Sequence, residues 1–266
     1  YYTVLTSDTN NSSGKSTAKG YIWAALANHL KLVHFFYENG SRSRKVLTGY
    51  LREDYRGAIQ SDGLGNYKII EKEAYPDAIR LSCFQHCKRK FLNITGNKDA
   101  EKIVRIINRL YQNEHRIPPD WTASQILDYR NKYAPPILKE LKKELINIKN
   151  KKSTLPKSEL SKAINYTLNE YDALCNYIRC ADYAPDNNAI ERLMRYISLS
   201  RRNSLFCGSH QGAKRAALIY SLACSCRLNN INSFEYFKDL LTKLIDINPN
   251  TDHETIRNLL PHKWQR

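Results

Sequence analysis

The run Tyr21-Ile22-Trp23-Ala24-Ala25-Leu26-Ala27-Asn28-His29-Leu30-Lys31-Leu32-Val33-His34-Phe35-Phe36-Tyr37 decides how the first part of the chain is read. Residues 21–27 and 31–37 are apolar, aromatic and β-branched, and they meet tightly around Asn28-His29, which predicts two antiparallel strands. Residues 1–7 have the same character and end at Asp8, adding a third strand to an antiparallel meander. Further on, residues 43–51 read as a helix and 57–61 as a short apolar strand ending at Asp62-Gly63. A helix near Tyr67 and a strand over 78–83 continue the alternating β/α pattern.

From about residue 97 to 181 the apolar spacing turns helical. Ile103, Ile106, Ile107 and Leu110 mark one helix, and residues 137–150 form a long basic amphipathic one. Ile164, Leu168, Tyr171, Leu174 and Ile178 mark a third. Their apolar stripes read as core packing. Pro118-Pro119 and Pro135-Pro136 are expected to break helices, since proline lacks the backbone donor. After Asp182 come a helix holding Glu191, a loop around Gly208, and helices over 211–227 and 234–245. Gly14-Lys15-Ser16-Thr17 is not a phosphate loop. Thr9 stands where that motif needs glycine, and the segment joins two strands instead of leading into a helix.

The 266 residues carry 42 Lys and Arg against 26 Asp and Glu, a net charge of +16 that points to a polyanionic partner, above all nucleic acid. Hydrophobic residues at 42% are enough for a folded core and argue against wholesale disorder. The seven cysteines, odd in number and scattered, make no disulfide framework and fit reduced thiols. Cys83, His86 and Cys87 lie close together, but no CxxC pair accompanies them, and buried structural cysteine is the better reading. No stretch approaches the roughly 20 apolar residues of a membrane span. The single Met, at position 194 and none at position 1, suggests a piece of a longer protein.

Three acids stand out by position. Asp8 and Asp62 each end a predicted strand, where α/β sheets place their ligands, and Glu191 begins a late helix. A meander, a second acidic strand and a late acidic helix match a ribonuclease H-like scaffold, whose carboxylates converge on Mg²⁺ through oxygen ligands. Each acid also has a purely structural reading. Asp62-Gly63 fits a turn, Asp8 the opening of a polar loop, and Asn188-x-x-Glu191 a helix cap.

The block 186–195, DNNAIERLMR, followed by 200–209, SRRNSLFCGS, resembles the signature of transposases of insertion-sequence family 66, DNNxxERxIRP then GRKNWLFxGS. Gln60-Ser61-Asp62-Gly63 is similar to the family's TDGY, residues 86–91 to HxRRKF, and residues 259–264 to LLPxxW. Asp8-Thr9-Asn10 departs from the family's Asp-Glu-Thr, and Tyr196, Ser200 and Ser204 stand where the family has Pro, Gly and Trp. The resemblance runs from Asp8 to the chain end. It implies an α/β fold with a ribonuclease H-like mixed sheet, a helical insertion between the second Asp and the Glu, and C-terminal helices. The corresponding segments are residues 1–96 and 182–266 for the catalytic domain and 97–181 for the insertion.

The resemblance further implies a DDE triad of Asp8, Asp62 and Glu191 holding two Mg²⁺ ions, with Mn²⁺ as a substitute. The chemistry would be cleavage of transposon ends followed by strand transfer. Lys88, Arg89, Lys90, Arg192, Arg195, Arg201, Arg202 and Asn203 are the expected DNA contacts. The partners would be terminal-repeat and target DNA and at least one further copy of the chain, in the bacterial cytoplasm at the nucleoid and away from membranes. Two other readings stay open: a DNA-binding remnant without chemistry, and a ribonuclease H-like nuclease that cuts without joining.

Overall fold

The computed structural model describes residues 2–5, 17–39, 44–61, 75–204 and 207–264. The chain divides into two compact units, Tyr1–Val46 with Ala189–Arg266, and Leu47–Asn188.

In the first unit, β1 (Tyr2–Leu5), β2 (Thr17–Ala27) and β3 (Leu32–Glu38) form the expected antiparallel meander in the order β1-β2-β3. Register runs from Tyr21↔Glu38 to Ala27↔Leu32, closed by a 3₁₀ turn over Asn28–Leu30 and by Lys31 in the left-handed region at φ 49°. Strand period two buries Val33, Phe35 and Tyr37 on one face. On the other face Phe36 stacks with Trp23, ring centroids 6.4 Å apart. Onto the buried face pack α6 (Asn188–Asn203) through Leu193 and Ile197, and α7 (His210–Leu228) through Ala217 and Cys224. Small residues along α7 let it come close to β3. The Ser221 and Ser225 hydroxyls accept from the Phe35 and Val33 backbone nitrogens at 2.8 and 3.1 Å, and Asn229 Nδ2 donates to the Lys31 carbonyl at 2.9 Å. One rung per helical turn thus pairs the strand edge that β2 leaves open. The unit is completed by α8 (Ser233–Lys243) and α9 (His253–Asn258). There Trp264 packs edge-on against buried Tyr236 and donates to Asp239 at 2.8 Å.

The second unit contains the parallel pair β4 (Ala58–Gln60) and β5 (Ile79–Leu81) and the helices α2 (Phe84–Leu92), α3 (Lys98–His115), α4 (Ala123–Lys149) and α5 (Glu159–Cys175). A short helix, α1 (Arg44–Thr48), precedes β4. The core is the expected set of stripes: Ile103, Ile107 and Leu110 of α3, Leu141, Leu145 and Ile148 of α4, and Ile164 and Leu174 of α5. The expected break at Pro135-Pro136 is corrected. The structure carries α4 straight through both prolines as one 27-residue helix. Each proline removes a backbone bond and costs about 3 kcal/mol in a helix interior. The flanking Ala134, Ile137, Leu138 and Leu141 are all buried, and about 1.5–3 kcal/mol for each large apolar side chain offsets that cost. A capping box between Thr122 and Gln125 fixes the start of α4.

Two buried ion pairs hold this unit. Arg130 of α4, only 6% exposed, pairs with Glu114 of α3 at 2.6 Å and donates to the carbonyls of Tyr177, Cys180 and Ala181. Arg80 of β5 pairs with Glu170 of α5, which is 1% exposed. The helix near Tyr67 lies outside the described residues. No helix among the described residues is long and apolar enough to cross a membrane.

Candidate functional site

The turn 186–188 sets the start of α6. Asp186 accepts through Oδ1 from the Asn188 backbone nitrogen at 3.0 Å and through Oδ2 from Asn188 Nδ2 at 2.8 Å. The acceptor at this helix start is therefore Asp186, and Asn188 is already the first helical residue. Asp186 also faces the Tyr111 hydroxyl of α3. Burial, and then the negative charge of nearby Asp186, push that phenol far above its ordinary range, and the buried hydroxyl has no hydrogen-bond partner among the described residues. The same turn anchors α2, because the Phe84 backbone nitrogen donates to the Pro185 carbonyl at 3.0 Å.

Glu191 stands in the first turn of α6, half-buried. With Leu193 and Ile197 facing the core, the 3.6-residue period puts Glu191, Arg195, Ser198 and Arg202 along the opposite stripe. Arg192 and Asn203 are exposed, and Arg201 is half-buried. A carboxylate therefore leads a row of guanidinium groups on one helix face.

The other expected basic residues ride on α2, where Phe84, Cys87 and Phe91 are buried, Arg89 and Lys90 are exposed and Lys88 is half-buried. Lys90 Nζ lies 4.3 Å from the Tyr166 ring centroid and Lys88 Nζ 5.7 Å from that of Tyr111. Cys83 and Cys87 are fully buried, and burial raises the Cys87 thiol to about 12. That is structural cysteine, as expected. No group of three or more His, Cys, Asp or Glu able to hold a metal occurs among the described residues. Asp8 and Asp62 lie outside the described residues. Ser61, immediately before Asp62, is buried at the end of β4 and donates its backbone hydrogen to the Leu81 carbonyl at 3.3 Å.

One part of the signature has a structural task that the pattern alone concealed. In 207–212, Gly208 has φ +71°, Ser209 caps α7 by accepting from the Gly212 nitrogen at 3.0 Å, and a Cβ on Gly212 would stand 2.1 Å from the Cys207 carbonyl oxygen. His210 follows, its Nδ1 2.7 Å from the Tyr37 hydroxyl. This segment ties the start of α7 to the last residues of β3.

The described residues thus combine α/β structure with a carboxylate heading an arginine-bearing helix face, in a chain of net charge +16. The chain belongs to the transposase IS66 family, whose model matches residues 5–215. It is similar to three uncharacterized proteins of Sinorhizobium fredii (strain NBRC 101917 / NGR234). It is 31% identical to y4jD over 79% of this chain and 42% of that protein, and 27% identical to y4hP over 85% and 42%. Identity to y4qI is 26% over 92% of this chain and 47% of that protein. The chain thus spans less than half the length of these relatives. No solved structure matches it.

Proposed function

We propose that this chain is the catalytic portion of a DNA transposase that cuts at transposon ends and joins the freed strand to target DNA. Family membership carries the reading, and the placement of Glu191 at the head of α6 supports it. The meander β1–β2–β3 in one unit and the parallel pair β4–β5 in the other are the strand types that a ribonuclease H-like domain uses, and residues 97–181 are the proposed helical insertion. Asp8, Asp62 and Glu191 are the proposed metal-holding triad. A half-buried carboxylate such as Glu191 is the donor type that a hard divalent cation takes. Bound Mg²⁺, or Mn²⁺ in its place, would supply charge neutralisation at the scissile phosphate.

The chain's own residues position the reaction. Asp186 fixes the first turn of α6 and with it the direction of Glu191. Arg192, Arg195, Arg201, Arg202 and Asn203, and on the other unit Lys88, Arg89 and Lys90, bind the DNA backbone. Water attacks a phosphorus atom at the element end, and the bond to the 3′-oxygen breaks to give a free 3′-hydroxyl. That hydroxyl then attacks a target phosphate, displacing the target's own 3′-oxygen, with no covalent enzyme intermediate. Bringing two ends together needs at least two copies of the chain, at the bacterial nucleoid.

The test is cleavage and joining of element-end DNA in Mg²⁺ by wild-type and Glu191→Gln protein. Loss of both products in the variant is expected. Identical product gels would sink the assignment, and cutting without joining would make the protein a nuclease.

A further inference from the structure

We infer that the outward face of α4, through Lys139, Lys142 and Lys143, is a second and sequence-independent contact for the phosphate backbone of duplex DNA. The identity of the polyanion rests on the transposase reading above; the surface itself does not. Along this half of α4, Leu141, Leu145 and Ile148 point into the unit. The two glutamates lean towards α3, where Glu140 takes Arg109 at 2.8 Å and Glu144 takes Lys102 at 2.7 Å. The acids of this half of the helix are thereby committed to one side. Lys139, Lys142 and Lys143, spaced i, i+3 and i+4, share the remaining face and are all exposed. Among the described residues none of the three makes an ion pair.

The face is partly ordered before any ligand arrives. Lys142 Nζ sits 4.6 Å from the Tyr171 ring centroid, and the Tyr171 hydroxyl donates to the Leu138 carbonyl at 2.8 Å, which fixes the ring. Asp172, exposed beside Tyr171 on α5, is the carboxylate flanking this side, and the local excess stays positive. A protein partner fits less well. Lysine is depleted in protein interfaces, whose centres are apolar and desolvated. The apolar surface on this side, Ile146 at 42% exposed and a groove reaching Leu138, Tyr171 and Ile178, is bordered by the three lysines, so a partner would have to desolvate their ammonium groups to reach it. Flexible ammonium groups one helical turn apart suit successive phosphates, which ask for charge and not for shape.

The experiment is fluorescence anisotropy of the full chain with a labelled duplex of arbitrary sequence, across a salt series. It compares wild type with Lys139→Gln/Lys142→Gln/Lys143→Gln. The log–log salt slope is expected to fall by about 2.7, at about 0.9 per lost phosphate contact, with at least a tenfold weaker Kd at low salt that is the same for unrelated sequences. Thermal unfolding of the variant is expected to match wild type. An unchanged slope and affinity would overturn the inference. So would tighter, lysine-dependent binding of polyglutamate than of duplex, which would assign the face to an acidic polypeptide. Cleavage by wild type with an unchanged slope in the variant removes this inference alone. A lysine-dependent slope without any Glu191-dependent cleavage removes the transposase reading and leaves this surface standing.

Discussion

The Ser221 hydroxyl lies 2.8 Å from the backbone nitrogen of Phe35 and accepts its hydrogen bond, from a helix that follows that strand by 186 residues in sequence. Ser225 repeats the contact one turn later at Val33. Both hydroxyls are buried with the strand edge they serve, so no water replaces them. Ser221→Ala is expected to leave the Phe35 N–H unpaired and to destabilise the first unit by about 1–3 kcal/mol in urea unfolding. Ser221→Thr, which keeps the hydroxyl, should recover most of that. The double variant Ser221→Ala/Ser225→Ala should also associate through the opened edge, read by light scattering. Equal stability of Ser221→Ala and wild type would show that the edge is satisfied some other way.

Arg130 supports a second prediction. Its guanidinium is buried with Glu114 and three backbone carbonyls, so removing only the carboxylate strands a charge in the core. Glu114→Gln is expected to cost about 3–5 kcal/mol, while Arg130→Met/Glu114→Leu, which removes both charges, should cost clearly less. Chemical denaturation of the three proteins checks the order. A double variant worse than Glu114→Gln would mean that the carbonyl contacts of Arg130 matter more than its charge.

These two relationships also mark where sequence reading stops. The meander was legible because residues 21–37 combine strand composition with a single turn-type break, and the helical stripes because their period is local. Glu191, Arg192 and Arg195 were legible as sharing one helix, but the Glu191–Arg195–Arg202 face emerged only once the structure buried Leu193 and Ile197. The serine ladder was not legible, since Ser221 and Ser225 on a helix look like ordinary neutral residues until a strand edge stands beside them. Arg130 lies next to a basic stretch that reads as solvent-facing, and only the packing of α3, α4 and residues 176–181 turns it inward. Pro135-Pro136 misled for the converse reason. A local rule was outweighed by burial on both sides of it.

Burial of Cys87 gives a pH dependence. The thiol is fully buried, and desolvation raises it from an ordinary 9.0 to about 12. A folded-state value above the unfolded one contributes stability that is complete below pH 9 and is lost as pH rises towards 12. Unfolding free energy is therefore expected to fall across that interval by a few kcal/mol more in wild type than in Cys87→Ala, once the baseline loss from the cavity is subtracted. Native protein should also leave Cys87 unmodified by a thiol reagent at neutral pH until it unfolds. Rapid native labelling at Cys87, located by mass spectrometry, would contradict the burial.

Asp186 joins the stability of α6 to the titration of Tyr111. Burial and the Asp186 charge both hold the Tyr111 phenol protonated well into alkali, and only the second is removed by Asp186→Asn. The variant keeps a side-chain oxygen that can accept from the Asn188 nitrogen, so α6 should still start at the same residue. Phenolate absorbance should show Tyr111, identified by difference against Tyr111→Phe, ionising at lower pH in Asp186→Asn than in wild type. Asp186→Ala removes the helix-start acceptor as well and should lose about 0.5–2 kcal/mol of stability. If Asp186 acts on the proposed site only by fixing the first turn of α6, Mn²⁺ affinity measured by calorimetry should survive Asp186→Asn, weaken in Asp186→Ala and fall furthest in Glu191→Gln. Equal affinity in wild type and Glu191→Gln would remove Glu191 from the metal-holding set while leaving the Tyr111 titration intact.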